Sequence, residues 1–355
     1  MSSLKQKIIE LIHAQGPITV SQYMTMALAD PQHGYYKTAE PFGRDGDFVT
    51  APEISQLFGE MVAFWIISSW NVLGQPSPFT LAEMGPGRGT LMADVLRVIT
   101  KLKPNMLTSA NIVLIESSPR LKNIQKTLLQ NYNNNIQWVE QFSQIPKTPI
   151  IFFANELFDA LPIHQFIVED GTLRERLITI NTKNELRFAV AKNAAIPLLS
   201  NVSNLPNGTI IETSPAREGL MDEIATQITQ YKGYALLIDY GSLLPATGDT
   251  LQAISKHQKV DIFANPGLDD ITSHVDFATL NKIAQNKGCK TAAITQADFL
   301  LSYGLLERAG QLGANKDQAL QEKIQNDVER LAAPNQMGEL FKALIICDDE
   351  HSISL

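Results

Sequence analysis

Apolar residues recur at two different spacings along this chain. In its first part they return every three or four positions, which is typical of amphipathic helices. We expect helices there over 4–14, 19–29 and 50–66. From Phe79 onwards short apolar runs alternate with helical patterns, as they do in α/β folds. The pattern therefore predicts a doubly wound α/β sheet preceded by helices.

The short apolar runs predict the strands of one sheet. In chain order these strands are 79–84, 111–116, 136–139, 149–154 and 234–239. Between the last two lies an inserted region, about 162–232, whose alternating pattern predicts a β-rich segment followed by a helix over 215–231. We therefore divide the chain into an N-terminal helical extension, 1–75, and a core, 76–355, that carries the insertion.

The end of the chain shows fewer patterns. Residues 242–274 are rich in turn-forming residues and are expected to form a loop. Asp276 is expected to cap a helix that reaches Gly288. A helix over 316–332 and a strand over 341–347 are predicted to complete the core.

Three glycines follow the first predicted strand, at Gly85, Gly87 and Gly89. A strand, a glycine turn and a helix form the opening unit of a doubly wound sheet, whose nucleotide ligand lies at the helix N-terminus. A dinucleotide site has the spacing G-x-G-x-x-G, which would need its third glycine where Thr90 stands. The spacing found here favours S-adenosylmethionine over NAD, and a tight turn without a ligand remains the alternative.

Two acids favour the S-adenosylmethionine interpretation. Glu83 lies two residues before the first glycine, and Glu116 closes the next predicted strand, where a carboxylate can bind both ribose hydroxyls. Thr50 and Glu53 form a predicted capping box at the start of the helix over 50–66. This helix N-terminus either closes over the carboxylate end of the cofactor or only caps a structural helix.

Asn155, Glu156 and Asp159 follow the fourth predicted strand, whose carboxyl end should face the ligand cleft. One interpretation is structural, with Asn155 capping a helix and the two acids in its first turn. The other is an acceptor site. Since a guanidinium has a pKa above about 12, its methylation requires carboxylates that bind its N–H groups and orient one nitrogen. Glu156 and Asp159 are candidates for that pair.

The composition argues against several classes of function. The chain has 355 residues, of which 44% are hydrophobic and 19% charged, and its net charge is −8. Because no block is rich in Lys or Arg, a nucleic-acid partner is not expected. The two cysteines form no C-x-x-C motif, so neither a disulfide framework nor a metal site is predicted. No apolar run predicts a membrane span and no targeting pattern is found, so a cytoplasmic protein is expected.

Six short motifs carry a resemblance to a known family. They are GDFVTAPEIS at 46–55, EMGPGRGTLM at 83–92, ANELFDALP at 154–162, DYG at 239–241, GDTLQ at 248–252 and VDF at 275–277. In this order they resemble the MidA-like family of class I S-adenosylmethionine-dependent methyltransferases, which includes the mitochondrial complex I assembly methyltransferase. The resemblance runs over nearly the whole chain.

The resemblance implies a Rossmann-like, seven-stranded methyltransferase sheet with a helical extension and a substrate-facing insertion. It implies S-adenosyl-L-methionine as the cofactor, with the three glycines at its methionine part and Glu116 at its ribose. The adenine contact is expected after the third strand, at Gln141. Asn155, Glu156 and Asp159 are expected to line the acceptor site.

The implied reaction is methylation of an arginine on a partner protein, which for the mitochondrial member is a subunit of respiratory complex I. Two other functions remain open: a scaffold that binds S-adenosylmethionine and assists assembly of a respiratory subunit, and methylation of a small molecule. A homodimer through the N-terminal helices also remains open, as does a location in the mitochondrial matrix if the source is eukaryotic.

Overall fold

The computed structural model describes residues 3–38, 50–132, 136–194 and 205–353. The chain divides into two compact units, each built from separate stretches of sequence. Unit 1 comprises Met1–Phe48, Phe158–Glu218 and Pro245–His274. Unit 2 comprises Val49–Leu157, Gly219–Leu244 and Val275–Leu355.

The described strands are numbered in chain order. They are β1 (Ile18–Thr19), β2 (Phe79–Met84), β3 (Ala110–Ile115), β4 (Ile136–Val139), β5 (Ile150–Asn155), β6 (His164–Glu169), β7 (Thr172–Ile180), β8 (Leu186–Val190), β9 (Ile210–Thr213), β10 (Gly233–Ser242), β11 (Gln252–Ser255), β12 (Gln258–Val260), β13 (Asp270–Thr272), β14 (Val275–Asp276), β15 (Lys290–Thr295) and β16 (Phe341–Cys347).

The described α-helices follow the same order, and a single 3₁₀ turn lies at Phe142–Gln144. They are α1 (Ser3–Gln15), α2 (Val20–Ala29), α3 (Tyr35–Thr38), α4 (Ala51–Ile54), α5 (Gln56–Val72), α6 (Thr90–Leu102), α7 (Pro104–Ser109), α8 (Pro119–Leu128), α9 (Pro215–Tyr231), α10 (Phe277–Asn286), α11 (Gln296–Ser302), α12 (Leu305–Gly313), α13 (Gln318–Ala332) and α14 (Met337–Leu340).

Unit 2 is built on one large sheet. Seven of its strands pair in the order β15-β16-β10-β5-β2-β3-β4, and the short β14 pairs with β10. Strands β2, β3, β4, β5 and β10 run parallel, whereas β16 is antiparallel to both of its neighbours. The apolar runs of β2, β3 and β5 are buried nearly throughout, as expected for parallel strands covered on both faces. The predicted fold class and all five predicted strands are confirmed.

The core of unit 2 lies between this sheet and the helices beside it. Helix α6 turns Leu91, Val95 and Ile99 towards the sheet, at the spacing of one helical face. Helix α5 contributes Trp65 and Phe58 to the same cluster. The amphipathic pattern predicted over 50–66 is therefore confirmed over α5.

The predicted helix over 50–66 is wrong in one respect, because it is broken at Ser55. This residue has an extended backbone, with φ of −156°, and its hydroxyl caps α5 by accepting from the Leu57 N–H. Thr50 makes no side-chain cap. The predicted capping box with Glu53 does not form, since the Glu53 carboxylate instead accepts a hydrogen bond from the Thr90 hydroxyl at 2.6 Å.

Unit 1 contains two smaller sheets. One has the order β1-β7-β6-β9, with β8 paired to β7, and it includes the β-meander predicted in the insertion. The other, β12-β11-β13, lies in the stretch 242–274 that was predicted to be a loop, so that prediction is wrong. Its strands are only three or four residues long, too short to show a clear alternation.

The core of unit 1 joins residues that are far apart in sequence. Leu4 and Tyr23, from α1 and α2, are buried together with Ile178, Leu251 and Ile271. The Thr19–Gln22 capping box at the start of α2 is present.

The division of the chain into 1–75 and 76–355 stays a prediction. Helix α5 packs on α6 in unit 2, whereas the helices before Phe48 belong with the inserted stretches. No element was assigned to 289–315, where β15, α11 and α12 lie. Within the described residues, no helix has both the length and the apolar character needed to cross a membrane.

Candidate cofactor and acceptor residues

The glycine turn after β2 has a backbone that requires glycine. Gly85, Gly87 and Gly89 all have positive φ, at 70°, 53° and 89°. A β-carbon on Gly85 would lie 2.8 Å from Cδ1 of Leu157, which directly follows the acceptor candidate Glu156. The turn is therefore both left-handed and in close contact with the segment after β5.

Glu83 is buried in β2, directly before the turn. Its Oε2 has no hydrogen-bond partner among the described residues. Burial, together with the nearby charge of Glu116, raises the pKa of the Glu83 carboxyl to about 8. A buried carboxyl with one oxygen that has no partner in the described parts of the chain is suited to a polar or cationic ligand group.

Glu116 follows β3, the strand next to β2. Its Oε1 accepts from the Ser118 N–H at 2.7 Å, and its Oε2 accepts from Nε2 of Gln125 at 3.3 Å. Burial raises the pKa of the Glu116 carboxyl, although these donors oppose the shift. Glu83 and Glu116 thus lie at the carboxyl ends of adjacent parallel strands, as the sequence predicted.

Gln125, on α8, was missed by the sequence analysis. It is fully buried and donates to the Gly87 carbonyl at 2.8 Å as well as to Glu116. Its position in the sequence offered a signal, because Leu121 and Leu129 lie four residues before and after it on the same buried face. A polar residue at a core position of a helix indicates a specific hydrogen-bonded role.

These residues fit S-adenosylmethionine. The left-handed turn leads into the N-terminus of α6, and a β-carbon at Gly85 or Gly89 would crowd the side chain of Leu157 or Gln125. Glu83 supplies a buried carboxyl oxygen that has no partner among the described residues, and Glu116 supplies a carboxylate at the next strand end.

Asn155 and Glu156 end β5. Glu156 has a left-handed backbone, with φ of 50°, which is uncommon for a residue other than glycine. Its Oε1 accepts from the Ala51 N–H at 3.1 Å and from the Asn155 side-chain amide at 3.0 Å. The Asn155 Oδ1 is buried and has no hydrogen-bond partner in the described parts of the chain.

The structural interpretation of this segment is wrong, because residues 156–163, which lie in the described part of the chain, form no helix between β5 and β6. Glu156 instead accepts at the N-terminus of α4, so the acid caps a helix from a distant part of the sequence. Thr50, predicted at the cofactor, immediately precedes this helix and is half-buried.

Asp159 lies in unit 1, since the chain passes from unit 2 to unit 1 after Leu157. Asp159 is buried, and its backbone carbonyl accepts from Nη2 of Arg217 at 3.1 Å and from the Ser273 N–H at 3.1 Å. Arg217 is itself buried and also donates to the carbonyls of Phe158 and His274, at 2.6 and 2.7 Å. Arg217 was not predicted from the sequence.

Gln141, predicted at the adenine, is exposed after β4. Its backbone N–H donates to Oε1 of Gln144 at 3.0 Å, in the 3₁₀ turn. Its assignment to the adenine stays a prediction.

Comparison with known proteins agrees with this geometry. Residues 61–295 match a family model described as "Putative S-adenosyl-L-methionine-dependent methyltransferase". The protein arginine methyltransferase NDUFAF7, mitochondrial, of Danio rerio is 35% identical over 96% of this chain and 86% of its own length. The human protein of that name is 33% identical over 93% of this chain and 80% of its own length.

A solved structure shares the fold. A crystal structure from Burkholderia thailandensis, bound to S-adenosyl-homocysteine, has a TM-score of 0.84 and 24% identity, covering 99% of this chain and 93% of that one. A native crystal structure from the same organism has a TM-score of 0.81, also with 24% identity, and covers 99% of this chain and 92% of that one.

Proposed function

This chain belongs to the family of S-adenosyl-L-methionine-dependent methyltransferases, and from that premise we propose that it methylates an arginine side chain of a partner protein. The curated relatives are named protein arginine methyltransferases, and the match to them extends over more than nine-tenths of this chain. Glu156 and Asp159, after β5, supply carboxylates that can accept hydrogen bonds from the N–H groups of an arginine acceptor.

One observation carries the proposal. The carboxylate of Glu156 is held by two donors, and the next residue, Leu157, packs against the glycine turn. The Glu156 carboxylate is thus fixed directly before Leu157, the residue that contacts the candidate cofactor turn. The strained backbone of Glu156 supports a functional role, since such strain is retained where a side chain must be positioned.

When bound, S-adenosylmethionine supplies a sulfonium methyl group that a nucleophile can attack in line. We assign Glu156 to accept hydrogen bonds from the N–H groups of the substrate guanidinium, to orient one nitrogen towards that methyl group and to take up the proton that this nitrogen loses. S-adenosylhomocysteine would be the leaving group. Such positioning lowers a barrier by several kcal/mol, up to about 7–11. Asn155 holds the Glu156 carboxylate, and Asp159 is proposed as the second acid from its place in the sequence.

The cofactor residues remain those proposed from the sequence. Backbone groups of Gly85, Gly87 and Gly89 would hold the methionine part, with Glu83 beside it. Glu116 would bind the ribose hydroxyls. Gln141 is proposed at the adenine, and Thr50 at the carboxylate end of the cofactor.

The test compares Glu156→Gln and Asp159→Asn with the exposed control Glu140→Gln in the full chain. We expect Glu156→Gln to bind S-adenosylhomocysteine as the wild type does, by calorimetry, and to lose methyl transfer by at least about a hundred-fold. Mass spectrometry of arginine methylation in cells with and without the gene identifies the acceptor. Full arginine methylation by Glu156→Gln would contradict the proposal.

The same experiment separates the alternatives. A scaffold would support assembly of its respiratory partner with Glu156→Gln as well as with the wild type. A small-molecule enzyme would leave the arginine methylation of the proteome unchanged when the gene is removed. The complex I subunit as partner, a homodimer and a cytoplasmic location all stay predictions.

A further inference from the structure

We infer that Gln125 is a positioning residue for the cofactor, whose amide holds the glycine turn and Glu116 in fixed register. The inference rests on the proposed role of Glu116 at the ribose. It starts from three contacts of one fully buried side chain, to Gly87, Glu116 and Trp138.

The orientation of the Gln125 amide is determined by its neighbours. The indole of Trp138 can only donate, and it donates to Oε1 of Gln125 at 2.9 Å. Nε2 must therefore point the other way, where it finds two acceptors, the Gly87 carbonyl at 2.8 Å and the Glu116 carboxylate at 3.3 Å. All three partners agree with one orientation and none with the flipped one.

This arrangement links three elements of unit 2 through one side chain. Gly87 lies in the turn after β2, Glu116 follows β3, and Trp138 lies on β4. The stem of Gln125 also packs on the turn, since a β-carbon on Gly89 would lie 3.3 Å from its Cγ. Gln125 therefore contacts the turn at two of its three glycines, by a hydrogen bond and by packing.

The amide also acts on the charge of the proposed ribose ligand. By donating to the Glu116 carboxylate, Gln125 opposes the rise in the pKa of that group caused by burial. Loss of this donor leaves a buried carboxylate less well satisfied and removes one of the contacts that fix its distance from the turn.

The experiment measures the affinity of the full chain for S-adenosylhomocysteine by calorimetry. Gln125→Leu should weaken binding about ten-fold, the usual effect of losing a hydrogen bond to a charged group. The control Gln130→Leu, at an exposed position just after α8, should bind as the wild type does. Unchanged binding by Gln125→Leu overturns the inference.

A double-mutant cycle with Glu116→Gln tests whether Gln125 acts through the acid. In the Glu116→Gln background, Gln125→Leu should have a clearly smaller effect than in the wild type. If the losses of affinity of the two single variants simply multiply in the double variant, the residues act independently and the inference is overturned. If Glu116→Gln itself binds like the wild type, both the proposed role of Glu116 and the inference fail. If Glu116→Gln binds weakly but Gln125→Leu binds normally, only the inference fails.

Two further variants decide the matter if Gln125→Leu does not fold, as monitored by thermal unfolding. Gln125→Glu has nearly the same shape but places a second carboxyl beside Glu116. Its affinity relative to the wild type should fall as pH rises, because both groups then ionise. An equal loss at every pH overturns the inference.

Trp138→Phe, which frees the amide to turn, should weaken binding about three-fold, and no loss would count against the inference.

Discussion

At the scale of single residues, burial determines the protonation state of the Glu83 carboxyl. Its carboxyl lies in the core of a parallel sheet with Oε2 lacking a partner among the described residues, so the charged form is disfavoured. Its pKa of about 8 keeps the group protonated in the free protein at neutral pH. A ligand ammonium beside it would favour the carboxylate instead.

Binding of the cofactor should therefore release a proton from Glu83. At pH 7 we expect S-adenosylhomocysteine binding to release about one proton per site, and the affinity to rise with pH up to about 8 and then level off. Calorimetry in two buffers of different ionisation enthalpy measures the proton count. Glu83→Gln should bind more weakly and release none; proton release by that variant would contradict the assignment.

At the scale of elements, one buried acid joins three helices of unit 2. Glu60 of α5 accepts from Arg97 of α6 at 3.0 Å and from Nε of Arg308 of α12 at 2.5 Å. Burial alone would raise the pKa of Glu60, but these hydrogen bonds lower it below its ordinary value of 4.5. A lowered pKa in the folded state stabilises the fold above the unfolded pKa, and this is lost as pH falls through the folded value.

Glu60→Gln should therefore destabilise the protein at neutral pH, by about 1–2 kcal/mol, since a neutral amide oxygen accepts less strongly from the two partly exposed guanidinium groups. The difference from the wild type should shrink below pH 4.5, where the unfolded-state carboxyl of Glu60 is protonated. Urea unfolding at several pH values measures it, with the exposed Glu329→Gln as control. A difference that stays constant down to pH 2 would rule out the ion-pair explanation.

In unit 1, the buried side chain of Arg217 holds two separate backbone segments together. Its guanidinium donates to four backbone carbonyls and to the Ser273 hydroxyl, so a planar group with several fixed donors is needed. Arg217→Lys keeps the charge but loses most of these bonds, and should lower the free energy of unfolding by about 2–4 kcal/mol. Arg330→Lys, on the surface of α13, should change it by less than about 0.5 kcal/mol. Equal effects in chemical denaturation would show that the carbonyl contacts do not matter.

At the scale of the whole molecule, unit 1 depends on contacts between distant stretches of sequence. Strand β1 pairs with β7, bringing Ile18 opposite Ile178. The apolar faces of α1 and α2 are buried against the inserted stretches, with Ile271 among their partners. The N-terminal segment therefore buries its apolar face only in the complete chain.

A peptide of residues 1–38 should accordingly be largely unstructured. Its two longer helices, of 13 and 10 residues, are too short to be stable alone in water. Circular dichroism of the peptide should show little helix, whereas hydrogen exchange of the full chain should show protection in α1 and α2. A peptide with native-like helicity would mean that local sequence is sufficient there.

Prediction from the sequence succeeded where a signal is local. The glycine spacing, the five parallel strands and the Asp276 cap of α10 were found because each depends on neighbouring residues. The capping box of Thr50 and Glu53 was predicted wrongly because Glu53 accepts from Thr90, which is 37 residues further along the chain. The strands over 242–274 were missed because their pairing, not their composition, defines them.

The class of fold, the glycine turn and the acids at the ends of β2, β3 and β5 could all be identified from the amino-acid sequence. Periodicity and backbone requirements are properties of short segments, so they can be read without coordinates. The hydrogen-bond partners of these acids became known from the three-dimensional packing. Gln125 bridges Glu116 and the turn, and Glu156 caps a helix that is distant in sequence. Arg217 donates hydrogen bonds to four backbone carbonyls. Hydrogen bonds between residues far apart in sequence depend on the packing of whole elements, which no local pattern specifies.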